Sequence, residues 1–308
     1  MSKLLDIILP TYNNRIELFE CLKGFEVQTI QDFRLIVCID GSTDGTHAAL
    51  EQYCAKTDLN ILVVQHVDGN NHGRNATRNL ALPHVNASYV VFLDTDAVPA
   101  PDFLQQHLLI LQQQECISAG DLIYVNADSN RWAAYLHTRG KKRFPHNVLI
   151  PFQYITTGNL AMPLRYFVEI GGQDSAMRTY GGGDTEFAYR LHTHFSPQVF
   201  HAQKAIAYSI MQKSVSDALN QMEEFGSGNL RYIRSKHPDY TEIFKMGLIL
   251  GESFYSKLIR IALHPFAGYI SELMVRVLPA GLANVFMSHA VLSRILKGFR
   301  KGQESHHA

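Results

Sequence analysis

The chain has little cysteine, a single tryptophan, no net charge and no long apolar run, and these scarcities narrow what it can do. Its 308 residues hold four cysteines, Cys21, Cys38, Cys54 and Cys116, with no Cys-x-x-Cys pair. That argues against a disulfide framework or a thiolate zinc site, and the four read as packing residues in a reducing compartment. Lys+Arg and Asp+Glu are 28 each, so the formal net charge is zero and no general grip on nucleic acid is expected. Glu272, Arg276 and His289 interrupt the greasiest part of the chain, so no stretch reaches the roughly 18 apolar residues of a membrane span. No cationic leader precedes the run Leu4-Leu5-Asp6-Ile7-Ile8-Leu9, and no GxGxxG follows it. A secretory signal and a dinucleotide oxidoreductase are therefore not expected. The location expected is cytoplasmic, with the inner face of the membrane open as a peripheral docking place.

What is present is apolar material, 46% of the residues, against 18% charged, enough for one large domain with an appendage. Short apolar runs at 6–9, 34–39, 61–65 and 89–93 predict strands. Amphipathic stretches at 16–28, 46–56 and 73–82 predict helices between them. The alternation predicts an α/β protein with a mostly parallel, Rossmann-like sheet, whose ligands sit beyond the carboxyl ends of the strands. Further helices are expected at 103–113, 185–194 and 291–300, and from about Ser214 the pattern turns helical and basic. The organisation read from this is one α/β domain at 1–213, with a first half at 1–100 and a second at 101–213. A helical, basic, amphipathic region follows at 214–308. That region could lie on anionic lipid or pack on the core or a second subunit.

Three polar runs follow predicted strands. Asp94-Thr95-Asp96 closes the fourth, where two carboxylates either share a hard divalent cation such as Mg²⁺ or Mn²⁺ or form an Asx turn. Asp40-Gly41-Ser42-Thr43-Asp44-Gly45-Thr46 follows the second, as a ligand loop or simply a well-capped helix start. Leu9-Pro10-Thr11-Tyr12-Asn13 ends the first, where Pro10 is expected to break the ladder and expose Thr11 and Tyr12.

The order of these runs resembles the family 2 glycosyltransferases of the GT-A fold. Asn71-His72-Gly73, Arg78-Asn79, Thr157-Gly158-Asn159-Leu160-Ala161, Gly171-Gly172-Gln173-Asp174 and Tyr180 through Leu191 continue the likeness, which covers roughly residues 5 to 230. The resemblance implies an inverting, metal-dependent sugar transfer from a nucleotide-diphosphate donor to a glycan or lipid-linked hydroxyl, with 1–213 as the catalytic domain, 1–100 as its nucleotide-binding half and 101–213 as its acceptor-binding half. It implies donor contacts at Pro10, Thr11, Tyr12, Asp40, Ser42, Arg78, Asp94 and Thr95, with Arg78 on phosphate or neutralising Asp40. It also implies Mn²⁺ or Mg²⁺ on Asp96 and Asp94, acceptor contacts at Asn159, Gly182 and Gly183, and Asp184 as the base.

The family pattern is departed from in three places. Ile39 stands where an acidic residue is usual, and Gly183 where glutamate is usual. The slot of a later histidine ligand falls at Ser209, leaving His201 as the nearest candidate. These departures motivate an alternative, a catalytically impaired nucleotide-sugar-binding scaffold of a polysaccharide assembly complex, and self-association is also open. Trp132 is expected to pack or to stack on sugar, and the run Arg139 to Arg143 to form a solvated face or, as the lesser alternative, to bind phosphate or acceptor.

Overall fold

The computed structural model describes residues 3–304. Its first half runs β1 (Leu5–Thr11), α1 (Arg15–Glu26), β2 (Phe33–Ile39), α2 (Thr46–Cys54), β3 (Ile61–Gln65), α3 (Arg74–Asn79) and β4 (Tyr89–Leu93). There follow β5 (Ala97–Pro99), α4 (Phe103–Leu111), β6 (Ile117–Tyr124), α5 (Arg131–His137), β7 (Asn159–Pro163), α6 (Leu164–Glu169), α7 (Gly183–Phe195) and β8 (Val199–Ser209). The described strands form one sheet in the order β3-β2-β1-β4-β7-β6-β8-β5. The α/β sheet expected from the sequence is present, and its parallel run spans β3, β2, β1 and β4. Beyond β4 the pairing is mixed: β7 is antiparallel to both β4 and β6, whereas β6 and β8 are parallel.

β1 is buried along its whole length, as a central parallel strand covered on both faces should be. Its pleat divides the core. Leu5, Ile7 and Leu9 pack with Leu18, Leu22 and Phe25 on one face, and Ile8 packs with Ile36, Phe92 and Phe187 on the other. Asp6 on that second face is fully buried, but Arg34 Nη2 lies 2.8 Å from it and the Asn86 and Ala87 amides donate to it at 2.7 and 3.0 Å. The buried charge is therefore paired and solvated by backbone.

Pro10 does not break the ladder. β1 continues through Thr11, which pairs with Ile39, while the β4 pairing stops at Ile8 and Phe92. The Pro10 carbonyl takes its hydrogen bond from Thr95 Oγ1 rather than from a β4 amide. A proline that lacks an amide hydrogen costs little on the side where the neighbouring strand has ended.

The chain divides into two compact units. The first comprises 1–125, 139–178 and 183–210, and the second 126–138, 179–182 and 211–308. Segments 126–138 and 179–182, which sequence continuity places in the catalytic half, thus belong to the second unit. That unit carries α8 (Val215–Ser227), α9 (Asn229–Lys236), α10 (Tyr240–Ile243), α11 (Gly247–Leu250), α12 (Phe254–Ala262), α13 (Pro265–Val277) and α14 (Ala280–Glu304). Ser214 and Asp217 form a capping box that starts α8. Trp132, with Tyr135, Ala218, Val275 and Met287, forms a buried cluster in this unit, so the single tryptophan is a packing residue. A Cβ on Gly298 of α14 would collide with the Glu223 carbonyl of α8, so these helices approach at a distance only glycine permits.

Candidate active site

The loops after β1 and β2 are clamped together by their own polar residues. Asn13, in the left-handed region at φ 47°, donates its amide to Ser42 Oγ at 3.0 Å and accepts from the Thr43 amide at 2.7 Å. Asp44 accepts from the Arg15 amide at the start of α1 and from the Thr46 amide at the start of α2. Against the opposing effect of burial, the Thr46 hydroxyl, which also donates to it, and these amides hold its carboxyl below the ordinary range. Gly41, at φ +67°, lies so close to 69–71 that a Cβ would meet Asn70 C at 2.6 Å. Ser42 and Thr43 therefore organise the loop. Tyr12 stands half exposed at its lip, and Thr11 Oγ1 is buried without a hydrogen-bond partner among the described residues.

Asp40 is committed to the loop after β3. It accepts from Asn71 Nδ2 at 3.0 Å, the His72 amide at 2.7 Å and the Gly73 amide at 3.1 Å, with His66 Nε2 at 3.4 Å. Burial, reinforced by the His72 ring 4.3 Å away, lowers the His66 pKa. A cleft of about 570 Å³ opens at this end of β3, lined in part by Gln65, His66, His72 and Asn79 and by none of the carboxylates 94, 96 or 184.

Arg78 does not neutralise Asp40. It is 3% exposed and its Nη2 donates to Asp94 Oδ1 at 2.6 Å, while Arg74 Nη1 lies 3.9 Å from the other Asp94 oxygen. Two arginines thus offset the charge of Asp94, whereas Asp96 is exposed just beyond β4. Thr95 is buried with its hydroxyl spent inside the protein, donating to the Pro10 carbonyl and accepting from Asn14 Nδ2.

Arg78 also begins a buried chain of hydrogen bonds that no sequence signal announced. Its Nη1 donates to Gln173 Oε1 at 3.3 Å, Gln173 Nε2 donates to Thr157 Oγ1 at 3.4 Å, and Thr157 Oγ1 donates to Asp184 Oδ1 at 2.6 Å. The Thr157 amide reaches the same oxygen at 3.1 Å. Asp94 and Asp184, 90 positions apart in sequence, are therefore tied through three side chains, each no more than 3% exposed. Helix α7 begins at Gly183, so Asp184 sits in its first turn rather than at its cap, and its carboxylate turns across to Thr157.

The remaining candidates separate from this cluster. Asn159 is fully buried, with its carbonyl 2.9 Å from His107 Nε2 and its amide donating to the Asp121 and Ala205 carbonyls, so the core holds it away from any acceptor. His201 is likewise buried with both ring nitrogens engaged, Nδ1 at the Phe144 carbonyl and Nε2 3.2 Å from Asp121. That removes it as a metal ligand, because neither nitrogen faces solvent. Ser209 pairs with Ala97 across the strand edge. Gly182 falls in the second unit, and Gly183 packs against Asn75, where a Cβ would stand 2.7 Å from its Oδ1.

The basic run is not a purely solvated face. Lys142 Nζ donates to the Leu122 carbonyl at 2.5 Å, and Lys141 Nζ reaches Thr156 Oγ1 at 3.2 Å. Burial pushes the Lys141 ammonium down to about 8, opposed by the carboxylates of Asp121 and Asp184. A titratable cation beside Asp184 was not legible, because a Lys-Lys pair in a loop carries no directional pattern.

A family profile described as Glycosyl transferase family 2 matches residues 6–171. Chondroitin synthase of Escherichia coli is 26% identical over 226 residues, 61% of this chain and 32% of that protein. The putative teichuronic acid biosynthesis glycosyltransferase TuaG of Bacillus subtilis is 34% identical over 113 residues, 37% of this chain and 44% of that protein. The chain thus spans less than half the length of each of these curated relatives. Among solved structures, mannosyltransferase PcManGT of Pyrobaculum calidifontis, in complex with GDP-Man and Mn²⁺, superposes with TM-score 0.62 at 15% identity. That match covers 98% of this chain and 88% of that one. At such identity the likeness concerns the fold, which is of the GT-A type.

Proposed function

The chain belongs to glycosyl transferase family 2, and from that premise we propose that it moves a sugar from a UDP-sugar to a hydroxyl of a glycan or lipid-linked acceptor, with inversion. The observation that carries the reading is the buried tie between Asp94, beside the expected donor phosphates, and Asp184, beside the expected acceptor. An in-line displacement needs a carboxylate on the acceptor side held at a set place relative to the leaving group. Asp184, fixed by Thr157, takes the proton from the attacking hydroxyl. Thr11, with its unmatched buried hydroxyl, and Tyr12, at the lip, receive the nucleoside, while Asp40 and Ser42 hold the loops that frame it. Lys141 adds positive charge near Asp184.

The residues fit a hard divalent cation. Among the described residues no group of three or more His, Cys, Asp or Glu is arranged to enclose a metal, so Asp96 would hold Mn²⁺ or Mg²⁺ whose other positions are filled by water and substrate oxygen. When bound, the ion offsets charge on the departing nucleoside diphosphate. Asp94, already paired with Arg78, would serve the donor ribose or support the cation from beside Asp96. Similarity to chondroitin synthase and to a putative teichuronic acid biosynthesis glycosyltransferase supports a place in cell-surface polysaccharide or glycoconjugate synthesis and a hexosyl or N-acetylhexosaminyl donor.

Release of nucleoside diphosphate across a donor panel tests the reaction. Asp184→Asn should lower turnover by about 100-fold or more while leaving donor binding by calorimetry intact, and excess EDTA should silence the wild type. Near-normal turnover of the variant rejects the base, and full activity in EDTA rejects the role of Asp96. Tight donor binding with no turnover anywhere in the panel would favour the scaffold reading.

A further inference from the structure

Helices α12 and α13 of the second unit are built inside out. On α13 the residues turned inward are small, Gly268, Ser271 and Val275, while Phe266, Tyr269, Ile270, Leu273 and Val277 are exposed. On α12 only Ser256 is buried, and Phe254, Tyr255 and Ile261 are each more than 70% exposed. A helix at home in water buries its large apolar stripe and shows its polar one. Here the spacing 266, 269, 270, 273, 277 lines one apolar stripe, and it faces out. The orientation is held from behind: Ser271 Oγ lies 2.9 Å from His289 Nδ1, and Ser293 Oγ donates to the Leu263 carbonyl at 3.1 Å.

We infer that α12 and α13 form a surface that docks on an anionic lipid bilayer. Among the described residues no single helix is long and apolar enough to cross a membrane, but these two pass that test as a pair bent by 52°. The 52° bend keeps the two from forming one straight span, and the 13 residues of α13 alone measure roughly 20 Å at the helical rise, short of the hydrocarbon thickness, so we place the pair along the interface.

The charges choose the occupant. Between Ser253 and Arg300 the sole acidic residue is Glu272, and Arg294 takes it up at 2.6 Å. Lys257 and Arg276 are exposed beside the apolar stripe. In a symmetric contact with a second copy these cations would meet their own kind, whereas anionic headgroups complement them and the tyrosine rings suit the headgroup boundary. This inference does not depend on the sugar-transfer reading.

Sedimentation of the full chain with phosphatidylcholine vesicles, with and without phosphatidylglycerol, tests it. The chain should pellet with the anionic vesicles, less with neutral ones, and release as salt is raised. The double variant Phe266→Glu/Leu273→Glu should lose binding by about tenfold or more, and Lys257→Glu/Arg276→Glu should lose the preference for phosphatidylglycerol. All four side chains are exposed, so circular dichroism should show both variants folded. A wild type that stays in the supernatant, binding that survives Phe266→Glu/Leu273→Glu, or a wild-type dimer that this variant dissociates without any vesicle binding would overturn the proposal.

Discussion

Gln173 is the residue on which the two carboxylate sites meet, because it accepts from Arg78 and donates to Thr157 through the two ends of one amide. Gln173→Leu would take the acceptor from the buried Arg78 Nη1, while Thr157 Oγ1 would lose one donor but keep its bond to Asp184, a cost of about 1–3 kcal/mol. We expect a folded protein with a lower melting temperature and kcat reduced about tenfold, with the acceptor KM little changed. Wild-type kcat in that variant would show that the tie does not position Asp184. His201 makes the opposite case. Both its nitrogens serve the core, so His201→Ala should lower stability by about 1–3 kcal/mol and leave the concentration of Mn²⁺ needed for half-maximal activity unchanged. A large rise in that concentration would restore it as a ligand. Neither role was readable in the sequence, where Gln173 sits in a Gly-Gly-Gln-Asp turn and His201 in an apolar strand.

At the scale of elements, strands set the places and loops set the chemistry. The loops after β1, β2 and β3 hold one another through Asn13, Asp40, Ser42 and Asp44, so each would be poorly defined alone. In the second unit the equivalent clamp is Glu223 of α8, which accepts from Arg294 and Lys297 of α14 at 2.9 Å and also pairs with Lys301. Burial acts to raise its carboxyl, but these cations prevail and hold it at about 2. Because the folded value lies below the unfolded value of about 4.3, the contribution is fully present above that pH and is lost as pH falls toward 2. Thermal melts of wild type and Glu223→Gln should therefore differ at neutral pH and converge through this acid window. A gap that persists at the acid end would assign the difference to packing.

For the whole molecule, zero net charge conceals segregation, since the helices beyond Ser253 carry many cations and only two acidic residues, Glu272 and Glu304, while the site carries Asp40, Asp94, Asp96 and Asp184. The division into units is also not a cut in the chain. Trp132 and Tyr135 pack with Ala218, Val275 and Met287, so a protein ending at Ile210 would present bare aromatic surface. Such a truncation should be insoluble or melt without cooperativity, as read by size exclusion and calorimetry. A soluble, cooperatively folding 1–210 chain would show that 126–138 does not need the C-terminal helices.

By itself the sequence determined the strands β1 to β4, the helices between them and the position of Asp94, Asp96 and Asp184 at element ends. Those features follow from hydrophobic period and from punctuation by polar runs, which are local. Only the tertiary structure decided that Arg78 answers Asp94 and not Asp40, that β1 runs on through Pro10, that Asn159 and His201 turn inward, and that α13 turns its large side chains outward. Each of these is a choice of partner or of face, made by the order of strands and by close packing between residues far apart in the chain. Local periodicity is the same for either choice.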